Sequence, residues 1–251
     1  MERQKVDDKV HTWPHLVRLE FLCIIVSLIV LTIWSITIDA PLEEAANPTK
    51  TPNPSKAPWY FLGLQEMLVY FDPWIAGVVL PGLIIIGLML IPYLDTNPKG
   101  NGYYTFSARK FAIPTYLFGF LFLWVFLIIL GVFLRGPGWN FFWPWQKWDP
   151  RKVVAITNID LSYWGPFKYL GNPRIAGIEI IGLMVLGFYY SIGLLFYLWR
   201  RKKSPTLQQL GPVRYTIVAF FFLTMVLLPI KIFLRLAFNI KYIWVTPWFN
   251  I

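Results

Sequence analysis

The sequence predicts an all-α membrane protein with about five transmembrane helices and one short helix on the outer surface. The chain of 251 residues is 57% hydrophobic and only 14% charged, whereas an average soluble domain is about 25% charged. Several uncharged apolar runs reach the roughly 20 residues that cross a bilayer. The net charge of +10 is typical of Lys and Arg at lipid headgroups, so we expect a lipid membrane, and no nucleic acid, as a partner.

Hydropathy and helix caps place five spans along the chain. Asp72-Pro73 and Asn172-Pro173 each have the pattern of a capping residue followed by a proline in the first helical turn. Phe21–Ile38 is followed by no small-residue cleavage pattern, so we expect no signal peptide here. The predicted spans are Val17–Ile38, Pro73–Leu94, Phe111–Leu134, Ile175–Trp199 and about Pro212–Leu236.

Three residues inside these spans need an interpretation. Lys231 and Arg235 lie four apart near the end of the fifth span, so they share one helical face. We expect both side chains to reach lipid phosphates at the interface. Cys23 is the single cysteine, and we interpret it as a packing residue of the first span. Without a CxxCH motif, covalent attachment of a c-type haem is excluded.

The distribution of Lys and Arg predicts the orientation. With the N-terminus inside, the inner segments hold 12 of the 23 basic residues in 49 positions, and the outer segments hold 11 in 95 positions. The run RRKK at Arg200–Lys203 lies in a short inner loop, where the positive-inside rule is most reliable. We therefore expect a cytoplasmic N-terminus and an outer C-terminus.

Two outer segments are rich in aromatic residues. Trp59–Phe71 is too short to span a membrane and too apolar for a free loop, so we expect a short helix in the outer membrane surface or tucked into the protein. Arg135–Pro150 contains four tryptophans. Because indole rings favour the headgroup layer, this segment is expected to lie flat on the outer face or to pack against a partner.

The short outer helix carries a candidate site. At 3.6 residues per turn, Trp59, Glu66 and Tyr70 fall near one face. A carboxylate and a phenol beside an aromatic ring suit a proton-accepting site for a flat ring ligand. The alternative is an interfacial helix with Glu66 facing water, and the residues alone favour this alternative.

A resemblance to a known family changes this balance. The segment Thr51–Phe61, TPNPSKAPWYF, resembles the surroundings of the PEWY motif of cytochrome b. Four further stretches resemble the same half of that protein: TWPHLVRLEF, APLEEAANPTKTP, DPWIAGVVLPGLIIIGLMLIPYLD and RGPGWNFFWPWQKWD. In split systems this half is a separate polypeptide, called subunit IV. The resemblance predicts a subunit IV-like region with three spans over residues 1–150 and a C-terminal extension with two more over 151–251.

The resemblance implies a function. The family is the quinol-oxidising core of cytochrome bc-type complexes, in which a quinol at the outer site gives one electron to a Rieske iron–sulfur protein and the other to haem b. We therefore expect a membrane subunit of a prokaryotic quinol:cytochrome c oxidoreductase. This subunit would form part of the outer quinol-oxidation site and couple electron transfer to proton release, and it would not be catalytic alone.

The same resemblance implies partners and a location. The expected partners are a haem-bearing N-terminal cytochrome b subunit, a Rieske protein and a cytochrome c subunit, in a dimeric complex. The expected location is the prokaryotic cytoplasmic membrane.

The resemblance also implies site residues. The expected quinol-binding residues are Ala57, Pro58, Trp59, Tyr60 and Tyr70. Pro58 stands where the family has the Glu that is proposed to accept a proton, and proline has no titratable group. Glu66 is the only carboxylate between Glu44 and Asp72, so we expect Glu66 to be the catalytic proton acceptor.

The histidines indicate that haem is carried elsewhere. His11 and His15 are the only two in the chain, and they cannot supply the four axial ligands of the family's two haems b. We expect haem b on a partner subunit and no metal site here. His11, His15 and Arg18 could border an inner quinone or a haem edge. The alternative is a pair of interfacial histidines beside Glu20 or lipid phosphate.

Two other functions compete with quinol oxidation. The lost motif Glu would also fit a structural subunit of a related respiratory complex whose quinol site has lapsed. A transporter is the third hypothesis, but the sequence shows no inverted repeat and no paired broken helices. Glu179, a charge in the fourth predicted span, is a functional candidate or a partner of Arg174.

Overall fold

The computed structural model describes residues 11–38, 45–98, 105–149, 157–171 and 173–251. Five helices in this part of the chain are long and apolar enough to cross a membrane, which confirms the predicted fold class. These spans 1 to 5 are Thr12–Thr37, Ile75–Leu94, Ala112–Phe133, Ile180–Arg200 and Pro205–Phe238. The chain divides into two compact units, Met1–Pro52 and Asn53–Ile251.

The first unit contains span 1. A π-helical turn over Thr12–Leu16 leads into the α-helix Val17–Thr37, so the helix begins five residues before the predicted start. Two of its hydroxyls are bonded within the helix: that of Thr32 donates to the Leu28 carbonyl at 2.7 Å, and that of Thr37 donates to the Ile33 carbonyl at 2.9 Å. Such bonds remove the cost of placing a hydroxyl in lipid.

The second unit contains the other four spans and several short elements. Span 2 joins a π-helical stretch, Ile75–Val79, to the α-helix Leu80–Leu94. Span 3 is α-helical at both ends, Ala112–Leu117 and Phe126–Phe133, with a π-helical stretch between them at Phe118–Val125. Short 3₁₀ turns lie at Trp59–Phe61, Pro137–Trp139, Leu161–Tyr163 and Gly165–Leu170.

The start of span 4 differs from the prediction. The helix begins at Ile180 instead of Ile175, because two short strands precede it. Strand β2, Arg174–Ile175, pairs antiparallel with β3, Ile178–Glu179, and the residues between them have positive φ angles of 50° and 80°. The predicted cap at Asn172 lies outside the described residues.

Span 5 is longer than predicted and contains a break. It begins at Pro205 instead of Pro212. Gly211 has a φ of 71° and a ψ of 172°, which interrupts the helix. Only glycine adopts such angles without strain.

The basic residues of span 5 are placed differently from the prediction. Lys231 is 0% exposed and Arg235 is 8% exposed, so neither reaches out to lipid phosphate from within this unit. Their side chains donate instead to backbone carbonyls that follow the helix, those of Lys241 and Asn239. The interpretation as interfacial side chains was wrong because spacing shows which residues share a face but not what covers that face.

The C-terminal tail folds back onto the ends of the spans. Strand β4, Ile240–Tyr242, pairs in parallel with β1, Ile159–Asp160. Beyond it, the Trp244 and Ile251 backbones exchange hydrogen bonds at 3.0 and 2.9 Å. The Trp244 indole donates to the Glu179 carbonyl at 3.1 Å. The tail is therefore a packed element of the second unit.

Two hydrophobic clusters hold the second unit together. The larger joins span 2, span 3 and the segment after Trp59 to Leu228 of span 5, and it includes Met67, Tyr70, Phe71 and Leu127. The smaller joins spans 4 and 5 to the tail through Leu186, Leu227, Ile240 and Ile243. The domain boundary predicted at residue 150 falls on residues outside the described ranges and stays a prediction.

Candidate functional site

The aromatic segment folds into a short helix, here called the PWY helix and defined as the 3₁₀ turn Trp59–Phe61 followed by the α-helix Leu62–Met67. Pro58 precedes it in an extended conformation, with φ −51° and ψ 146°. Gln65 ties the approach to the helix: its side chain accepts from the Ala57 N–H at 2.7 Å and donates to the Ser55 carbonyl at 2.8 Å. The predicted short helix is therefore present, and its N-terminal end is braced.

The three aromatic residues of the first turn form an open surface patch. Trp59, Tyr60 and Phe61 are 68%, 51% and 53% exposed. The Trp59 and Tyr60 rings meet edge to face at 5.7 Å, and the Tyr60 and Phe61 rings lie 4.9 Å apart. These faces can stack against a flat ring, against lipid or against a partner.

Glu66 lies on the buried side of the PWY helix and is 0% exposed. Arg135 holds it from the end of span 3: Nε lies 3.0 and 2.9 Å from the two carboxylate oxygens, and a terminal nitrogen lies 2.5 Å from Oε1. The Tyr70 hydroxyl donates to Oε1 at 2.7 Å, and the Trp139 indole donates to Oε2 at 3.1 Å. The site is thus a saturated network of one anion, one cation and two aromatic donors.

Sequence reasoning missed Arg135 and Trp139. A tight turn brings them together: Gly138 and Trp139 have φ angles of 64° and 57°, and the Gly138 N–H donates to the Asn53 side chain at 2.8 Å. One terminal nitrogen of Arg135 then donates to the Trp139 carbonyl at 3.0 Å. The available signal was an arginine directly after a long apolar run, followed by Gly-Pro-Gly.

The network sets the charge of its members. Burial, reinforced by the negative charge of Glu66, raises the pKa of Tyr70, so the phenol keeps its proton and remains a donor. Burial alone would lower the pKa of Arg135, but the hydrogen bonds and charge of Glu66 raise it overall. Arg135 is therefore a permanent cation beneath the aromatic patch.

The predicted common face is only partly observed. Glu66 and Tyr70 are adjacent, as expected, but Trp59 is 68% exposed where Glu66 is fully buried. The reason is the 3₁₀ first turn, whose three residues per turn rotate Trp59 away from the face that α-helical spacing assigns to it. The structure also excludes the alternative in which Glu66 faces water.

The predicted inner residues belong to the first unit. His11, His15 and Arg18 are all exposed there and begin span 1. Within the described ranges, no three His, Cys, Asp or Glu side chains cluster as metal ligands. Two histidines one turn apart cannot supply the four axial ligands of two haems.

A second buried carboxylate lies at the start of span 4. Glu179 is 0% exposed and accepts from Arg174 and from the Ser162 hydroxyl, each at 3.0 Å. This ion pair is the second of the two roles considered for Glu179, a partner of Arg174. Nearby, burial and the charge of Glu179 raise the pKa of Asp160.

Comparison with known proteins finds a family match over the part of the chain that contains the PWY helix. Residues 45–138 match the family described as cytochrome b (C-terminal)/b6/petD. The menaquinol:cytochrome c reductase cytochrome c subunit of Geobacillus thermodenitrificans is 35% identical over 92 residues, which are 35% of this chain and 37% of the relative. That of Bacillus subtilis is 34% identical over 94 residues, 35% of this chain and 36% of the relative.

The match is confined to part of each protein. The chain spans little more than a third of the length of these two relatives, and no solved structure matches it. The matched residues include the whole PWY helix and Arg135, whereas span 5 and the tail lie outside them. The resemblance found in the sequence is confirmed for the matched region.

Proposed function

Because residues 45–138 match the cytochrome b C-terminal family, we propose that the chain is a membrane subunit of a menaquinol:cytochrome c oxidoreductase complex. It would take part in electron transport and not be catalytic alone. The observation that carries this proposal is the position of the family match, which covers the PWY helix together with Tyr70 and Arg135 of the buried network. The two relatives bear the name of such a complex.

The proposed quinol site is the aromatic patch. We place the quinol ring beside Trp59 and Tyr60, with Ala57 and Pro58 lining the approach. The exposed faces of the first turn support this placement, since a flat aromatic headgroup can stack on them. Tyr70 is 1% exposed, so we propose that it supports the site through Glu66 instead of touching the quinol.

We propose that Glu66 accepts a proton from the quinol and that this proton is then released on the outer side. Its oxygens already accept from Arg135, Tyr70 and Trp139. To accept a proton, the carboxylate has to release one of these donors. That requirement couples proton uptake to a rearrangement directly beneath the aromatic patch.

The test is Glu66→Gln in the assembled complex. Since a positioned base contributes about 100-fold or more, we expect menaquinol oxidation to fall by about that factor and its pH dependence to shift. Glu179→Gln is the matched control, because Glu179 is equally buried and also paired with an arginine. Subunit and haem content of the complex establish assembly. Equal, near-wild-type rates in both variants would show that Glu66 is not the acceptor.

A structural subunit with a lapsed quinol site is the second candidate. The observation that favours it is the combination of Pro58 at the motif position with a Glu66 whose oxygens are all engaged. This candidate predicts that Glu66→Gln and Tyr60→Ala both leave turnover and outer-site inhibitor binding unchanged.

The remaining parts of the proposal concern partners and membrane. We propose that haem b is carried by an N-terminal cytochrome b subunit, with a Rieske protein and a cytochrome c subunit completing a dimeric complex. His11, His15 and Arg18 remain proposed neighbours of an inner quinone or haem edge. The proposed location is the cytoplasmic membrane of a prokaryote.

Orientation has its own test. We expect a cysteine at position 146 to react with an impermeant thiol reagent in intact cells, and a cysteine at position 202 to react only after lysis, in a Cys23→Ser background. Gln146 and Lys202 are both exposed, so accessibility within the chain does not bias the comparison. The reverse labelling pattern would mean that the N-terminus is outside.

A further inference from the structure

Lys231 of span 5 is buried completely, at 0% exposure, in a region that the family match does not reach. A charged side chain inside a membrane span is expensive and usually functional. Its charge therefore has to be held by specific contacts.

Two contacts hold the ammonium group. Nζ donates to the Lys241 carbonyl of strand β4 at 2.5 Å and lies 5.0 Å from the centre of the Phe71 ring, within cation–π range. Phe71 follows Tyr70, whose hydroxyl binds Glu66. Lys231 thus connects the tail to the residue next to the buried network.

The charged groups around Lys231 come from three elements. Arg235 lies on its own helix, Lys241 on β4 and Asp160 on β1, and all three interact with it electrostatically. These two cations and one carboxylate together do not neutralise the ammonium group. The Lys241 carbonyl and the Phe71 ring are therefore the contacts that fix its position.

The tail also contacts the segment that follows the PWY helix at a second place. The Asn250 side chain donates to the Asp72 carboxylate at 3.5 Å. Phe249 and Ile251 pack against the cluster that contains Tyr70 and Phe71. The tail therefore packs against the residues that directly follow the helix with the aromatic patch, and Lys231 holds Phe71 of this segment.

We propose that Lys231 is a positioning residue of the quinol site: by joining the Lys241 carbonyl to the Phe71 ring, it fixes the helix that presents Trp59 and Tyr60. This inference rests on the proposed function. It makes the C-terminal extension part of the site, although the extension lies outside the family match.

The test compares two substitutions in the complex assembled with its native partners. Lys231→Met loses the hydrogen bond and the charge, whereas Lys231→Gln keeps a donor for the carbonyl. With a water-soluble naphthoquinol as the substrate, Lys231→Met is expected to raise KM about tenfold and to change kcat less than twofold. Lys231→Gln keeps the donor but loses the cation–π contact with Phe71, so its KM is expected to lie between those of the wild type and of Lys231→Met.

Arg235→Met is the control for the loss of a buried cation. It removes a second cation that binds a tail carbonyl, at 3.1 Å from Asn239, but among the described residues only Lys231 forms a cation–π contact with the Phe71 ring. Because Arg235 interacts electrostatically with Tyr70 and Arg135, its KM is expected to rise, but clearly less than that of Lys231→Met. An equal rise in KM for both methionine variants would overturn the inference, since general loosening of the tail would then explain the effect.

Phe71→Leu gives an independent measurement if Lys231→Met does not assemble. It removes the ring face and keeps most of the apolar volume, so KM is expected to rise; a wild-type KM overturns the inference. The two proposals fail differently. A wild-type complex that does not oxidise the naphthoquinol refutes the proposed function, whereas an active complex with an unchanged KM in Lys231→Met refutes only the role of Lys231.

Discussion

Replacing Arg135 with methionine is expected to destabilise the chain by about 3–5 kcal/mol, because Glu66 would remain buried without its cation. Both side chains are almost fully enclosed, at 3% and 0% exposure, so water cannot replace the lost partner. For a chain of this size the change corresponds to a fall of roughly 6–20 °C in melting temperature. Thermal unfolding of the detergent-solubilised chain measures it.

The double substitution Arg135→Met with Glu66→Met is the control. Replacing a whole buried ion pair by apolar residues of similar volume is often neutral, so the double variant should regain most of the lost stability. Tyr70 and Trp139 would each lose an acceptor, which limits the recovery. The stability of Glu66→Met alone completes the comparison. If the double variant lost as much stability as Arg135→Met and Glu66→Met added together, Glu66 and Arg135 would not be energetically coupled.

Gly182→Val is expected to displace the C-terminal tail from span 4 and to destabilise the chain. A Cβ at position 182 would lie 2.4 Å from the Ile243 carbonyl oxygen and 2.6 Å from the Trp244 Cα. Both are backbone atoms, so no side chain can rotate away to make room. Overpacking costs about 1–3 kcal/mol and occasionally more, and the backbone contacts place this variant at or above the upper end. A lower melting temperature would report the loss.

Gly187→Ala is the matched control in the same helix. Nothing lies within 4 Å of a Cβ at position 187, and alanine favours a helix over glycine by about 1 kcal/mol. The control is therefore expected to be neutral or slightly stabilising. A melting temperature for Gly182→Val equal to that of Gly187→Ala would mean that the tail does not pack against span 4 as described.

The two destabilising predictions concern contacts at the end of span 3 and at the start of span 4. Arg135 joins the end of span 3 to the PWY helix, and Gly182 lets the tail approach span 4. If the proposed function is right, Arg135→Met should also weaken binding of outer-site inhibitors, because the helix beneath Trp59 and Tyr60 would lose its main anchor.

The membrane spans follow from local sequence. Crossing a bilayer needs about 20 apolar residues in one run, and such a run can be recognised from consecutive residues alone. The PWY helix was predictable for a similar reason, since the proline-rich approach and an apolar stretch too short to span leave few alternatives. The adjacency of Glu66 and Tyr70 follows from helical spacing alone.

Only the tertiary structure shows which distant residues contact these helices. The partner of Glu66 is Arg135, 69 residues away. Lys231 contacts the Lys241 carbonyl beyond its own span and the ring of Phe71, which precedes span 2. The contacts of both buried charges come from other parts of the chain. No local sequence pattern distinguishes an arginine that faces phosphate from one that faces a buried carboxylate. Burial decides that choice, because a charge removed from water has to find its counter-charge or a carbonyl in the same interior.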